Sequence, residues 1–275
     1  MTEAADVPVA DHGLQPTIAG DLAAALDAVV FAERAGVRPD AWQADVLRTD
    51  ARQLILLASR QSGKSTVTAL LAAHQAVYGP DTLTLLLSPS LRQSQELYRK
   101  VRVVLAALGR TAPPAAEESA LRLELDNGAR VVCLPGKEAT IRGFSAPALV
   151  VEDEASRVDD ALYQAIRPML ATSGGRLVLL STPWGQRGHF HHEWVKGGDA
   201  WARFAVTAEQ VPRISAAFLA RERAAMPSFV YRQEYGCEFV QPDDAYFQAD
   251  DIDAAFVVDG QPLFPLEEAN PHAAD

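Results

Sequence analysis

Residues 53–66 read QLILLASRQSGKST, and this stretch decides the fold of the 275-residue chain. The apolar run 53–58 has the length of a buried strand, and a helical pattern starts at Lys64. In a loop of the form Gly-x-x-x-x-Gly-Lys-Ser/Thr, consecutive backbone N–H groups hold phosphate oxygens at the N-terminus of a helix. Ala58 stands where the first glycine normally lies, so the pattern alone also fits an ordinary helix start. Because the loop lies between a strand and a helix, we predict that it binds a nucleotide.

Short apolar runs alternate with helical patterns after this loop, which indicates a mainly parallel sheet with helices on both faces. Asn127-Gly128 separates two strand-like runs within 121–134 and predicts a two-residue hairpin turn. The other predicted strands lie at 53–59, 82–88, 148–152 and 176–181, and the predicted helices lie at 18–35, 64–77, 91–108 and 159–170. The fold class predicted from this order is α/β.

Length and pattern also predict a division of the chain. One substantial core fits 275 residues. We expect an N-terminal extension at 1–37, a nucleotide-binding domain at 38–240 and an acidic tail or linker at 241–275. The pattern beyond Arg203 is helical and predicts a small closing subdomain near 201–240, and the Ala- and Pro-containing stretch 111–119 is interpreted as a linker.

The net charge of −11 is unevenly distributed. Residues 1–50 carry −6 and residues 241–275 carry −9, so the centre, 51–240, carries +4. A mildly basic centre permits binding to a phosphate backbone without proving it. No apolar run reaches the ~18 residues that span a bilayer, and the acidic N-terminus does not match a secretory signal, so we expect a cytoplasmic protein without a membrane partner.

A second motif, which is acidic, follows an apolar run that predicts a strand. Residues 148–151 (ALVV) lead directly into Glu152-Asp153-Glu154. A nucleotide hydrolase needs one carboxylate at a strand end for the magnesium shell and usually a neighbouring one to activate water. We assign Asp153 to Mg²⁺ and Glu154 to the water, and Glu152 to the opposite face because side chains alternate along a strand. Three solvated acids that start a helix are the alternative.

Several further segments, in this order, resemble motifs of the large terminase subunit of tailed phages over about residues 38–240. These segments are 39–43, the phosphate loop 59–65 without its first glycine, 87–90 with Gln93, 140–144 and 180–185. The resemblance implies a P-loop NTPase fold of the additional-strand, catalytic-glutamate type with a small helical lid. It also implies an ATP hydrolase that pushes double-stranded DNA into a procapsid.

The resemblance implies roles for individual residues. Gln43 resembles a reader of the adenine edge, and 180–185 resembles the motif that couples nucleotide state to movement of a DNA-gripping subdomain. The implied nucleotide-binding residues are Trp42, Gln43, Ser59, Gln61, Ser62, Gly63, Lys64, Ser65 and Thr66. The implied magnesium ligands are Ser65 and Asp153, and the implied coupling residues are Ser181, Thr182 and Pro183.

Two arginines are candidates for the arginine finger of this family. Arg142 resembles one that reaches the ATP of a neighbouring subunit, which implies an oligomeric ring in the active form. Arg60, in the phosphate loop, is the competing candidate within its own subunit. The implied cofactors are ATP and Mg²⁺, and the implied partners are double-stranded DNA, a portal or procapsid and a small terminase subunit.

Some features favour other interpretations. A metal site at His189–His192 is disfavoured because adjacent histidines diverge on a helical turn, and Cys133 and Cys237 are interpreted as buried apolar residues. The acidic tail is too short for the nuclease domain usual in this family, so no nuclease activity is expected. A helicase-like ATPase and a non-catalytic prophage remnant that binds nucleotide are the alternative functions.

Overall fold

Eight strands and ten α-helices occur within residues 17–240, which are the residues that this computed structural model describes. The strands are β1 (Gln53–Ala58), β2 (Leu83–Ser88), β3 (Ala115–Glu118), β4 (Arg122–Leu125), β5 (Arg130–Pro135), β6 (Leu149–Asp153), β7 (Arg176–Ser181) and β8 (Trp201–Val206). The helices are α1 (Ile18–Leu26), α2 (Ala28–Arg34), α3 (Ala41–Arg48), α4 (Lys64–Tyr78), α5 (Leu91–Leu108), α6 (Glu138–Ile141), α7 (Asp160–Ser173), α8 (Gly188–Lys196), α9 (Ala216–Ala225) and α10 (Ser228–Glu234).

The strands form one sheet in the order β3-β4-β5-β2-β6-β7-β1-β8. The six strands from β5 to β8 in this order are parallel, and β3 and β4 are antiparallel at one edge. Strand β7 lies between β1, which leads into the phosphate loop, and β6, which carries the acidic motif. This inserted strand is the additional strand of the predicted fold class, and the α/β prediction is confirmed.

Helices cover both faces of the sheet because successive strand residues point to opposite sides. On one face, Leu54 and Leu56 of β1 lie in a core cluster with residues of α1 to α5. On the other face, Ile55 and Leu57 lie in a cluster with residues of α7 and α8, including Phe190. Since the parallel strands share one carboxyl edge, the segments that follow β1, β6 and β7 meet there.

The predicted single helix 18–35 was wrong. Two helices replace it because Asp27 is extended, with φ −133° and ψ 109°, and its side chain accepts a hydrogen bond from the Val29 N–H at 2.8 Å. Asp27 is therefore the N-cap of α2. The apolar pattern runs on across the break, which is why it predicted one helix.

Two predictions at the β3 edge were also inaccurate. The stretch 111–119, interpreted as a linker, contains β3. The hairpin turn contains three residues, Asp126 to Gly128, because Leu125 and Ala129 pair directly across it. Only Gly128 of these three has a positive φ, 79°, as expected for a type I turn closed by a glycine bulge.

The helical pattern predicted beyond Arg203 holds only after Val206, because 201–206 form β8. Within residues 17–240 this strand pairs only with β1, and three of its six residues are partly buried, so its side chains show no clean alternation. No helix among residues 17–240 is long and apolar enough to cross a membrane. The predicted tail 241–275 and the start of the predicted extension lie outside the described residues.

Candidate active site

The phosphate loop joins the end of β1 to the start of α4. Gly63, the N-cap of α4, has φ 98°, a left-handed conformation that a glycine adopts without strain. A side chain at Gly63 would also collide with the amide of Gln43. The hydroxyls of Ser59 and Ser62 are buried and have no hydrogen-bond partner among residues 17–240. Ser65 and Thr66 lie on the first turn of α4. The loop thus has the geometry that cradles an anionic phosphate.

Lys64 and the acidic motif meet at the carboxyl edge of the sheet. Lys64 Nζ lies 3.0 Å from Glu154 Oε1. Lys64 and Asp153 are each only 8% exposed, so the site is shielded from bulk water. Glu154 has φ 54° and ψ 41°, a left-handed conformation that is costly for a non-glycine residue and is concentrated at functional sites.

The charge around Asp153 suits a divalent cation. Burial, and next the negative charge of Glu154, raise the pKa of Asp153 to about 6, although Lys64 lowers it in part. Two carboxylates therefore face one ammonium group in a shielded site. A hard cation with oxygen ligands would relieve this surplus of negative charge. Asp153 and the hydroxyl of Ser65 are the candidates to hold it.

Hydroxyls from the end of β7 contact the same glutamate. Ser181 Oγ and Thr182 Oγ1 lie 3.4 and 3.5 Å from Glu154 Oε2, at the long limit for hydrogen bonds. Ser156 contacts both of these residues. Its Oγ lies 2.6 Å from Ser181 Oγ and donates to the Thr182 carbonyl at 2.9 Å. Pro183 follows, also buried. Two of the three predicted coupling residues, Ser181 and Thr182, therefore contact the predicted catalytic carboxylate.

Gln43 lies directly against the phosphate loop. It is 4% exposed, and its Oε1 accepts a hydrogen bond from the Asp40 N–H at 2.9 Å. Trp42 packs against the core, and its indole nitrogen is buried with no hydrogen-bond partner in the part of the chain that the structure describes. The structure therefore brings Gln43 to the site, whereas Trp42 faces the core.

Arg213 belongs to the site although no motif in the sequence points to it. Its guanidinium donates to the Ser62 carbonyl at 2.9 Å and pairs with Asp40 at 2.7 Å. It borders a cavity of about 370 Å³ beside the loop, lined by Arg60, Gln61, Arg213, Ile214, Ser215, Phe218, Arg221 and Tyr235. Arg213 lies 151 residues from Ser62, so no local pattern could reveal the contact.

The two candidate finger arginines are placed differently. Arg60 pairs with Glu234 at the end of α10, and its backbone N–H donates to the Glu234 carbonyl at 3.2 Å. Arg142 follows α6, its side chain is 73% exposed, and it pairs with Glu138 of the same helical turn. Neither guanidinium contacts Lys64 or Glu154 in the described part of the chain. Arg142 is thus accessible from outside the subunit, and Arg60 is held by α10.

The remaining candidates lie away from the phosphate site. His189 is buried between Glu152 and Asp160, on the face of β6 opposite to Asp153. Glu152 therefore points to the face opposite to Asp153, as strand alternation predicted. Cys133 and Cys237 are buried free thiols, as predicted.

Comparisons with known proteins show a family and a fold that this chain resembles. Residues 55–254 match the family described as terminase large subunit, T4likevirus-type, N-terminal. The large terminase subunit of Thermus phage G20c is 25% identical over 257 residues, covering 81% of this chain and 53% of that protein. The chain thus spans about half the length of the curated relatives it matches.

Solved structures share the fold. The large terminase ATPase domain of Thermus phage P74-26 has a TM-score of 0.67 and 21% identity, covering 76% of this chain and 97% of that domain. The large terminase of thermophilic bacteriophage D6E in complex with ADP has a TM-score of 0.59 and 13% identity, covering 73% of this chain and 52% of that one.

Proposed function

Because this chain belongs to the terminase large subunit family, T4likevirus-type, N-terminal, we propose that it is the ATPase motor of viral DNA packaging. The proposed reaction is hydrolysis of ATP, coupled to movement of double-stranded DNA into a procapsid. One observation carries the proposal: Lys64 of the phosphate loop and Glu154 after β6 lie 3.0 Å apart in a shielded site. A relative's structure that contains ADP supports the choice of nucleotide.

Each residue of the site has a proposed role. Lys64 neutralises the β- and γ-phosphates, and the N–H groups of 59–65 hold the phosphate oxygens. Ser65 and Asp153 hold Mg²⁺, which when bound with ATP offsets the negative charge of the phosphates. Glu154 orients the attacking water and accepts its proton. Ser181 and Thr182 then transmit the state of Glu154 to the chain that follows β7.

The base and the loop complete the nucleotide site. We propose that Gln43 hydrogen-bonds the adenine edge and that Trp42 supports its helix. Ser59, Gln61, Ser62, Gly63 and Thr66 line the phosphate path. The proposed ATPase domain spans 38–240, and the segment near 201–240 closes over the site through the contacts of Arg213 and Glu234 with the loop.

Assembly and partners are also proposed. Arg142 is exposed, as an arginine finger for a neighbouring subunit must be, and this supports a ring of subunits as the active form. Arg60 is the alternative finger within one subunit. A portal on the procapsid and a small terminase subunit are the proposed protein partners, in the cytoplasm of the infected cell.

ATP turnover by the purified chain, alone and with double-stranded DNA and procapsids, tests the proposal. The wild type should hydrolyse ATP, and DNA with procapsids should raise the rate and yield nuclease-protected DNA. Lys64→Ala should abolish both activities. Lys196→Ala, which removes an exposed lysine at the end of α8, is the matched control and should behave as the wild type. ATP turnover by Lys64→Ala at the wild-type rate would show that the proposed site is not the site of hydrolysis.

A further inference from the structure

A buried carboxylate outside the proposed reaction lies next to the catalytic strand end. Glu152 of β6 is fully buried, immediately before Asp153 but on the opposite face of the sheet. Its Oε1 lies 2.9 Å from Nε2 of His189, at ion-pair distance rather than in a well-aligned hydrogen bond. A buried carboxylate is costly unless it has a charged or hydrogen-bonding partner. Glu152 therefore requires His189 at this position.

His189 is fixed on its other side as well. Its Nδ1 lies 3.0 Å from Asp160 Oδ1, and its backbone N–H donates to the same oxygen at 2.6 Å. The ring of Tyr163 stacks on the imidazole, with centroids 4.7 Å apart and planes 10° from parallel. Two neighbouring elements, β6 and α7, thus hold the first turn of α8 through one residue, His189.

One segment of chain contacts both faces of the acidic strand end. Residues 181–189 begin with Ser181 and Thr182, whose hydroxyls lie against Glu154. The same segment ends with His189, which lies against Glu152. A displacement of Glu154 therefore moves Ser181 and Thr182 at one end of this segment. The other end, His189, stays attached to β6 through Glu152. The segment therefore runs from the last residue of β7 to the first turn of α8.

We propose that His189 is a positioning residue for ATP hydrolysis, and that with Glu152 it holds segment 181–189 against the end of β6. This inference rests on the proposed function, because it assigns His189 the task of setting the position of Glu154 through Ser181 and Thr182. His189 touches no reacting atom. Its loss displaces the segment, and the water-orienting carboxylate moves with it.

A double-variant cycle tests the pair. Glu152→Val and His189→Phe are compared singly and together, with kcat, KM for ATP and melting temperature measured for each. Glu152→Val removes the partner of His189 Nε2, and His189→Phe leaves the buried carboxylate of Glu152 unpaired. For each single variant we expect kcat to fall ~10–100-fold, with KM for ATP changed less than about twofold. The double variant restores an apolar contact and should recover most of the kcat and melting temperature, because replacing both members of a buried pair is often nearly neutral.

The control is Phe190→Leu, which removes buried packing one residue along α8 without touching Glu152. It should lower the melting temperature while kcat, measured well below that temperature, stays at the wild-type value. Single variants with wild-type kcat, or kcat losses that simply add in the double variant, overturn the proposal. A wild type without ATP turnover contradicts the proposed function instead. The pair is then judged on melting temperatures alone: non-additive changes support the contact, and additive changes overturn it.

Discussion

The ammonium nitrogen of Lys64 lies 3.0 Å from a carboxylate oxygen of Glu154, which joins the first residue of α4 to the residue that follows β6. In the proposed reaction the two residues serve different partners, since Lys64 contacts phosphates and Glu154 contacts water. Nucleotide binding must therefore exchange the partner of Lys64. When a nucleotide binds to Lys64, the ion pair breaks and the carboxylate of Glu154 is released to contact water.

This exchange makes a prediction for nucleotide affinity. Lys64→Ala removes a charge-assisted contact with phosphate and should weaken binding of a fluorescent ATP analogue by about 10–100-fold. Glu154→Gln releases Lys64 from its carboxylate, so its affinity should equal or exceed that of the wild type. Lys196→Ala serves as the control with unchanged affinity. Weaker binding in Glu154→Gln than in Lys64→Ala would be inconsistent with the pairing.

Mixed subunits distinguish the two finger arginines. If Arg142 acts on a neighbouring subunit, Arg142→Ala and Glu154→Gln are each inactive alone, but their mixture regains ATP turnover. The regained sites combine an intact Glu154 with an Arg142 from the neighbour. If Arg60 is instead the finger and acts within its own subunit, Arg60→Ala mixed with Glu154→Gln should stay inactive. No recovery in the Arg142 mixture would contradict the ring arrangement, and Arg110→Ala, an exposed arginine, is the neutral control.

Asp153 predicts an unusual pH dependence of stability. Its pKa is raised from 3.8 to about 6 in the folded chain, chiefly by burial. The folded state therefore binds more protons than the unfolded state between these values, and stability falls as pH rises through this window. Without Mg²⁺ or nucleotide, Asp153→Asn should be more stable than the wild type by up to about 3 kcal/mol above pH 6.

Chemical denaturation at several pH values, with a chelator present, measures this difference. The gain of Asp153→Asn should shrink as pH falls below 6 and nearly vanish near pH 4. Added Mg²⁺ should stabilise the wild type more than the variant. A gain that is constant across the pH range would show that the carboxylate charge is not its cause.

The break between α1 and α2 predicts a local loss of stability. Asp27 caps α2 at Val29 and pairs with Arg48 of α3 at 2.9 Å. Asp27→Ala should reduce the free energy of unfolding by about 1–2 kcal/mol, mostly through the lost cap. Asp45→Ala, an exposed acid on α3, should change it by less than about 0.5 kcal/mol. Equal effects of the two variants would argue against a capping role for Asp27.

Much of the fold was predictable because its signals are local. Apolar strands that end at Ala58 and Asp153 follow directly from hydrophobic runs, and strand alternation placed Glu152 and Asp153 on opposite faces. β8 was missed because its two buried residues, Trp201 and Val206, lie on opposite faces of the sheet and the residues between them are partly buried or exposed, so the strand has neither a continuous nor an alternating apolar pattern. The break at Asp27 was missed because apolar residues continue on both sides of the cap.

The site was only partly predictable for a different reason. The phosphate loop and the acidic strand end can be recognised from their residue types, but the residues that contact them come from distant parts of the chain. Arg213 reaches Ser62, and Glu234 reaches Arg60, across 151 and 174 residues. His189 was interpreted only as a doubtful metal ligand, since nothing in its neighbourhood indicates Glu152. Contacts of this kind depend on the order of strands in the sheet.

ATP hydrolysis by Glu154→Gln tests the central claim most directly, because the variant keeps the shape of the side chain and removes its ability to accept a proton. Steady-state phosphate release should be compared with the wild type and with Glu117→Gln, an exposed acid on β3. The account predicts ATP binding as in the wild type, with phosphate release lowered by about 100-fold or more. Phosphate release at the wild-type rate from Glu154→Gln would contradict the assignment of this site.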